Sequence, residues 1–309
     1  MENAIRIENL RKTYAVKNGE DKEALKGISL AIPRGSFFGL LGPNGAGKST
    51  LINIMAGLVL KSSGTVEIMG HSLDTATRAA KRSIGIVPQE LMLDTFFTVR
   101  QALEITAGYY GVPKKERRTD AIINAMGLAD KADVPSRRLS GGMRRRLLVG
   151  KALVHSPDVL VLDEPTAGVD VELRRSLWNY VRELNRGGTT ILLTTHYLEE
   201  AEELCDRIAI INHGMIIAND TKRALMQGVD SKEIFFTLET PITELPTALS
   251  TLQARVDEGR LVVKYAPSQS AMDDIFARVQ QAGLDIRDVS TKEVDLEDLF
   301  IAMTSDKAA

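Results

Sequence analysis

The sequence predicts an α/β fold built on a parallel sheet. Three short apolar runs end in polar residues, namely SFFGLLGPN from Ser36, PDVLVLDEPT from Pro157 and TTILLTTH from Thr189. Helical periodicity lies between them, as in VELRRSLWNYVRELNRGG, where Leu177 and Val181 share one face and a glycine pair ends the run. Continuous apolar strands of this kind are typical of a sheet covered on both faces, with ligands bound at the carboxyl ends of its strands.

The chain of 309 residues is long enough for two domains. We predict a nucleotide-binding domain over residues 1–228, which begins with a strand that places Ile5 and Ile7 on one face. The stretches FTVRQALEITAGYYG and AIINAMGLAD predict a helical subdomain inserted at about residues 90–155. The strands EIFFTLET and RLVVKYA and the helices AMDDIFARVQQAG and DLEDLFIAM predict a small α+β accessory domain over residues 229–309.

Composition excludes several classes of function. The formal net charge is −2, and general affinity for nucleic acid would need a strong basic excess. The single cysteine, Cys205, excludes an internal disulfide framework and is expected to be a buried apolar residue. No apolar run approaches the length that spans a bilayer, so we expect a soluble chain whose membrane role, if any, comes through a partner.

A glycine-rich loop follows the first apolar run and precedes the helical stretch STLINIMAGL. It fits the pattern G-x-x-x-x-G-K-[ST], in which backbone N–H groups face a polyphosphate, Lys48 reaches the β- and γ-phosphates, and the Ser49 hydroxyl binds Mg²⁺. The sequence therefore predicts a P-loop NTPase, although GTPases, kinases and ATPases share this loop. The candidate phosphate-binding residues are Gly42, Pro43, Asn44, Gly45, Ala46, Gly47, Lys48, Ser49 and Thr50.

Two adjacent carboxylates end the second apolar run. Acidic side chains are seldom buried without a partner, so a pair at a strand end points to chemistry rather than to packing. We expect Asp163 to hold Mg²⁺ through water, and Glu164 to orient the water that attacks the γ-phosphoryl group.

Together these motifs closely resemble the nucleotide-binding subunit of an ABC transporter. The order is the phosphate loop, VPQE, LSGGM, LVLDEPTAGVD and LLTTH. The resemblance implies ATP and Mg²⁺ as ligands and assigns one role to each matching residue. Gln89 would bind Mg²⁺ and relay to the transmembrane partner, Ser140, Gly141 and Gly142 would form the signature motif, Asp170 would be the D-loop aspartate, His196 would contact the γ-phosphate, and Tyr14 would stack on adenine.

The signature motif raises a question of its own, since two glycines are costly inside a helix. Ser140 is a natural N-cap, and the glycines leave backbone donors uncovered at a helix end that favours an anion. In the family, that anion is the γ-phosphate held by a second subunit, which implies a head-to-tail dimer around two ATP molecules. Met143 stands where the family usually has Gln, and the charged run 144–146 is expected to be a solvated helix face.

The ending DLEDLF and the stretches AGVDVELRR and THYLEEAE resemble the drug and polysaccharide exporter branch, which includes daunorubicin-resistance-type subunits. We expect an ATPase that drives export of a drug-like, lipid or polysaccharide substrate through an integral membrane permease, while it sits on the cytoplasmic face of the membrane. Two alternatives stay open: a soluble ABC-type ATPase acting on a ribosome or DNA, and a module that holds ATP without turnover. Phe96 and Phe97 are either core residues or part of a groove for the permease.

Overall fold

The chain folds into two compact units, Met1–Lys222 and Arg223–Ala309. Within the described residues, no helix is both long and apolar enough to cross a membrane. The computed structural model describes residues 2–15, 20–90, 94, 96–166, 171–227, 232–266, 271–293 and 295–304.

The first unit alternates strands and helices along the chain, which confirms the α/β class. Three short 3-10 turns, at 114–116, 129–131 and 136–138, connect its middle helices. In chain order its elements are β1 (Asn3–Tyr14), β2 (Lys22–Pro33), β3 (Phe37–Leu41), α1 (Lys48–Met55), β4 (Ser63–Ile68), β5 (His71–Ser72), α2 (Thr77–Arg82), β6 (Ile84–Val87), α3 (Val99–Tyr109), α4 (Thr119–Ala125), α5 (Gly141–Leu153), β7 (Val159–Asp163), α6 (Val171–Arg186), β8 (Thr190–Thr194), α7 (Leu198–Leu204), β9 (Arg207–Asn212) and β10 (Met215–Thr221), after which α8 (Lys222–Gln227) begins.

A central sheet has the strand order β10-β9-β3-β8-β7-β6. Its pairs are parallel except for β10, which runs antiparallel to β9. Every residue of β3, β7 and β8 is buried, as expected for strands covered on both faces. The carboxyl ends of these three strands therefore share one edge, where the phosphate loop, Asp163 and Thr194 meet.

A second, antiparallel sheet has the order β2-β1-β4-β5 within the described residues. Along β1, Ile5 and Ile7 are buried and Arg6 and Glu8 are exposed, which matches the predicted alternation. The buried side of this sheet shares one apolar core with α1 and with the central sheet. That packing places Tyr14, at the end of β1, beside the phosphate loop.

Helices α3, α4 and α5 pack on one another through small residues and aliphatic side chains. A side chain on Gly150 of α5 would meet Ile122 of α4 at 3.1 Å and Leu103 of α3 at 3.4 Å. Thr98 and Gln101 form a reciprocal capping box, which fixes the start of α3 at Val99.

The second unit is a four-stranded antiparallel sheet, in the order β12-β13-β11-β14, with a helix on one face. Phe236 of the sheet and Phe276 of the helix make an edge-to-face contact, with ring centroids 5.2 Å apart. The sequence predicted the first and third strands and both helices but missed β12 and β14. Its elements are β11 (Lys232–Leu238), β12 (Gln253–Asp257), β13 (Arg260–Tyr265), α9 (Met272–Gln281), β14 (Ile286–Glu293) and α10 (Leu296–Thr304).

Candidate active site

The phosphate loop joins β3 to α1, and its conformation requires glycine at two places. Gly47 caps α1 with a φ of 114°. A side chain on Gly47 would lie 2.9 Å from the carbonyl oxygen of Ala24, and one on Gly42 would lie 2.3 Å from that of Ile211. Backbone packing thus selects glycine at both ends of the loop, which leaves its N–H groups free of side-chain cover.

Lys48 is enclosed by its own loop. The residue is 8% exposed, and its ammonium donates to the carbonyl oxygens of Gly42 at 2.5 Å and Pro43 at 3.1 Å. Burial lowers the pKa of Lys48, while the Glu164 and Asp163 carboxylates act in the opposite direction. The loop is therefore folded around a cation that lies close to both carboxylates.

Asp163 is held at the end of β7 by its neighbour strand. The Thr194 hydroxyl of β8 donates to Asp163 Oδ1 at 2.5 Å. Burial raises the pKa of Asp163 above its ordinary value, an effect that the Thr194 hydrogen bond partly offsets. The carboxylate is thus fixed in direction and poorly solvated.

Glu164 adopts a backbone conformation that is uncommon for a residue with a side chain. Its φ is 48°, and its N–H donates to the carbonyl oxygen of Thr194 at 3.0 Å and to the hydroxyl at 3.2 Å. A non-glycine residue at positive φ persists only where its surroundings hold it, and such residues cluster at functional sites. Here β8 supplies that hold.

Two further predicted residues converge on one oxygen of Glu164. The Gln89 side-chain amide donates to Glu164 Oε2 at 2.9 Å, and His196 Nδ1 lies 3.3 Å from the same oxygen. Gln89 follows β6 and His196 follows β8, so three strands of the central sheet contribute to this cluster. Gln89, Glu164 and His196 form the catalytic cluster. The structure places Lys48 and Asp163 close to it.

A cavity of about 280 Å³ opens beside the cluster. Tyr14 is 37% exposed and lines the cavity, and the Lys12 ammonium lies 4.6 Å from the centroid of its ring. Sequence reasoning missed Lys22 and Ala24 of β2, because nothing local marks that strand as a neighbour of the loop. The lining comprises Tyr14, Lys22, Ala24, residues 44–50, Gln89 and Glu164.

The signature residues lie away from this cavity. The Ser140 hydroxyl accepts from the N–H of Met143 at 3.2 Å and so caps α5, as predicted. Ser140 and Gly141 are exposed, and a side chain on Gly141 would touch nothing within 4 Å. The N-terminus of α5 is thus bare, whereas Asp170 lies outside the described residues.

The arginine run contradicts its expected solvated face. Arg145 is 5% exposed, and its guanidinium donates to the carbonyl oxygens of Pro88 and Gln89, both at 2.7 Å. Arg146 donates to the carbonyl oxygens of Met126 and Gly127. These side chains tie α5 to the loops around it, because backbone carbonyls at loop and helix ends need donors.

Comparison with known proteins identifies the family. The family model for ABC transporter matches residues 25–167. Nod factor export ATP-binding protein I of Ralstonia nicotianae is 36% identical over 305 residues, covering 96% of this chain and 92% of that relative. The chain belongs to the ATP-binding subunits of ABC transporters.

Two other relatives of this ABC subunit are resistance proteins. A linearmycin resistance ATP-binding protein of Bacillus subtilis is 35% identical, covering 97% of this chain and 98% of the relative. A daunorubicin resistance ATP-binding protein of Streptomyces coeruleorubidus is also 35% identical, covering 98% and 96%. They confirm the drug and polysaccharide exporter branch, and with it an ATPase.

Solved structures confirm the P-loop NTPase fold of the ABC subunit. An ATP-binding subunit of an ABC transporter is 26% identical with a TM-score of 0.67, covering 73% of this chain and 92% of that one. A dimeric ATP-binding cassette in a post-hydrolysis state, bound to ADP and Pi, is 26% identical with a TM-score of 0.63, covering 70% and 98%.

Proposed function

We propose that this ABC subunit hydrolyses ATP at Glu164 and that hydrolysis drives export through a separate membrane permease. The observation that carries the proposal is the convergence of Gln89 and His196 on Glu164 Oε2, beside a cavity that the phosphate loop lines. A carboxylate at this position can accept a hydrogen bond from water and orient that water toward the γ-phosphoryl group.

Nucleotide binding follows from the cavity lining. Tyr14 is partly exposed and lines the cavity, so its ring is proposed to stack on adenine, a contact worth about 1–3 kcal/mol in comparable cases. Backbone N–H groups of residues 44–50 and the N-terminus of α1 receive the phosphates. Lys48 exchanges its carbonyl partners for phosphate oxygens, which relieves the poor solvation of its ammonium.

The donor set beside the loop fits Mg²⁺. The Ser49 hydroxyl, the Gln89 amide oxygen and the Asp163 carboxylate would hold the ion, and all three supply oxygen, the ligand atom that Mg²⁺ prefers. The described residues contain no group of three His, Cys, Asp or Glu side chains that could cage a metal alone. Mg²⁺ sites completed by phosphates and waters have this composition, and the bound ion neutralises phosphate charge.

A second copy of the chain completes the site in this proposal. The bare N-terminus of α5, with Ser140, Gly141 and Gly142, contributes to no part of its own cavity, yet it favours an anion. We therefore assign these residues to the γ-phosphate held by a partner copy in a head-to-tail dimer. Asp170 is proposed to act at the same dimer contact.

The permease is proposed to dock on the exposed aromatic side chains of Phe96 and Phe97, which follow Gln89 in the sequence. Phe96 is 74% exposed and Phe97 37%, so the core alternative is wrong for this pair, and the exposure of the two rings supports the groove. Docking there would hold the subunit on the cytoplasmic face of the membrane. We propose no nucleic acid partner.

The exported substrate is proposed to be drug-like, lipid or polysaccharide in character. This rests on the names of the relatives, which concern Nod factor export, linearmycin resistance and daunorubicin resistance.

Glu164→Gln tests the hydrolytic step. The amide keeps the shape of the side chain but orients water poorly, so we expect ATP binding to persist and kcat to fall by at least about 100-fold. A closed, ATP-bound dimer should accumulate and is measurable by size-exclusion chromatography. Lys48→Ala should lose nucleotide binding or turnover. Glu203→Gln, a change of an exposed residue on α7, is the control. Parental turnover in Glu164→Gln would refute the catalytic assignment.

Co-purification tests the transport role. A tagged native chain recovered from gently solubilised membranes should carry a polytopic membrane protein in stoichiometric amount. Recovery of the chain with ribosomes or DNA instead would leave the ATPase in place and refute the transporter role.

A further inference from the structure

A buried carboxylate that has no role in the proposed reaction lies near the residues of the catalytic cluster. Glu200 of α7 is 5% exposed, which makes it as buried as Asp163 and Glu164 at 7% and 9%. Glutamate is almost never buried to this degree unless it is paired. It lies four residues after His196, inside the stretch THYLEEAE, and the sequence motifs assign it no role.

Both oxygens of Glu200 are engaged by hydroxyls from two different loops. Thr166 donates to Oε1 at 2.7 Å, and Thr195 donates to Oε2 at 2.9 Å. Thr166 lies two residues after Glu164, and Thr195 directly precedes His196. Both threonines are almost fully buried, at 1% and 2% exposed. The carboxylate therefore joins the loop that follows β7 to the loop that follows β8.

A cation extends this link to the first turn of α6. Arg174 Nε lies 3.5 Å from Glu200 Oε1, and its guanidinium lies 4.8 Å from the centroid of the Tyr197 ring. The Tyr197 ring in turn contacts that of His196, with centroids 4.0 Å apart. Glu200 and Arg174 thus fix the residues on both sides of a histidine whose own side chain is 51% exposed.

We propose that Glu200 is a positioning residue that sets the distance between Glu164 and His196. Thr166 lies two positions after Glu164, and Thr195 directly precedes His196. The Glu200 carboxylate accepts a hydrogen bond from each of these threonines. Hydroxyl bonds to a buried charge are strong and directional, so they resist relative movement of the two loops. The inference rests on the proposed function, because it assigns Glu200 an effect on that reaction alone and none on nucleotide binding.

The test compares kcat with ATP affinity in the full-length chain. Glu200→Ala is expected to lower kcat by roughly 10- to 100-fold, since small displacements of catalytic groups have effects of this size. The dissociation constant for ATP should stay within about twofold, because Glu200 lies outside the cavity lining. Glu200→Gln keeps the shape and one acceptor oxygen and should restore part of the rate. Glu203→Gln, an exposed neighbour paired with Arg182, should be unchanged.

A double-mutant cycle with Thr195→Val separates positioning from a general loss of stability. If Glu200 acts through this hydroxyl, Glu200→Gln and Thr195→Val together should cost no more than the larger single loss. Thr195→Val also provides the test should Glu200→Ala fail to fold. Additive losses, parental kcat in Glu200→Ala, or equal losses of kcat and ATP affinity would each overturn the proposal.

Glu164→Gln in the same assay keeps the two proposals distinct. Parental turnover in that variant would remove the proposed function itself. A turnover loss in Glu164→Gln beside a parental rate in Glu200→Ala would remove only the positioning role.

Discussion

At the scale of single residues, the site depends on groups held in an unfavourable backbone conformation or in poorly solvated surroundings. Glu164 holds a positive φ, a conformation that costs about 1–3 kcal/mol in a non-glycine residue. Lys48 and Asp163 both have pKa values displaced by burial. Their neighbours in β8 and in the phosphate loop over-determine these positions, so the catalytic groups are oriented before nucleotide arrives.

Arg145 departs most from the expectation based on sequence, since it is buried and not on a solvated helix face. Its two hydrogen bonds join α5, which begins at the signature motif, to the backbone on either side of the Pro88–Gln89 peptide bond. Because the Gln89 side chain reaches Glu164, a displacement of α5 would reach the catalytic carboxylate through Arg145. This link is a physical contact between the signature helix and the chain's own site.

Arg145→Met should therefore destabilise the chain and slow hydrolysis. The substitution keeps most of the apolar stem but removes the donor from two partly buried carbonyl oxygens, and an unsatisfied group of this kind costs up to about 1–3 kcal/mol. The free energy of unfolding, measured by urea denaturation, should fall by that order, and kcat should fall with it. Arg144→Met is the control, because Arg144 itself is less buried than Arg145 and one of its two hydrogen bonds, to the carbonyl oxygen of Arg137, is exposed. An equal effect of the two changes would refute a special role for Arg145.

At the scale of elements, the buried strands and the outer strands differ in how clearly the sequence shows them. β3, β7 and β8 are apolar throughout and were predicted, because a strand covered on both faces has no polar side. β12 and β14 carry polar residues at most positions and were missed. β14 takes its place from pairing with β11, whose partner residues are 48 to 61 positions away in sequence, whereas β12 pairs with the next strand, β13, through a tight turn.

At the scale of the whole molecule, all the candidate site residues that the structure describes fall in Met1–Lys222. The second unit has its own apolar core, built around Phe236, Val263 and Val279. A separate core is the property that lets a unit fold by itself. Nucleotide binding should therefore belong to the first unit alone.

A chain truncated to residues 1–228 tests this division. We expect it to fold and to bind ATP within about twofold of the full-length affinity, since it loses no residue of the cavity lining. Isothermal titration calorimetry gives the affinity, and analytical ultracentrifugation with ATP compares dimerisation. A folded truncated chain that no longer binds ATP would refute the division. Loss of dimerisation alone would support a dimerising role for the second unit.

Local sequence patterns are enough to predict the ATPase chemistry and the family of this protein. The phosphate loop, the carboxylate pair at a strand end and the order of the motifs are local patterns, and the physical demand each one meets is visible in a few neighbouring residues. They predicted the P-loop NTPase fold and the ATPase, and the stretches AGVDVELRR, THYLEEAE and DLEDLF predicted the exporter branch. The comparisons confirm all three.

How those residues meet depends on contacts between segments that lie apart in the sequence. The contacts of Gln89 and His196 with Glu164, the burial of Arg145 and the bonds of Glu200 join segments that are 5 to 75 residues apart. The sequence does not distinguish a buried charged residue from a solvated one. The difference is visible only once the fold shows which carbonyls or hydroxyls surround the side chain. Burial of polar groups is set by the packing of distant segments, and local pattern carries no record of that packing.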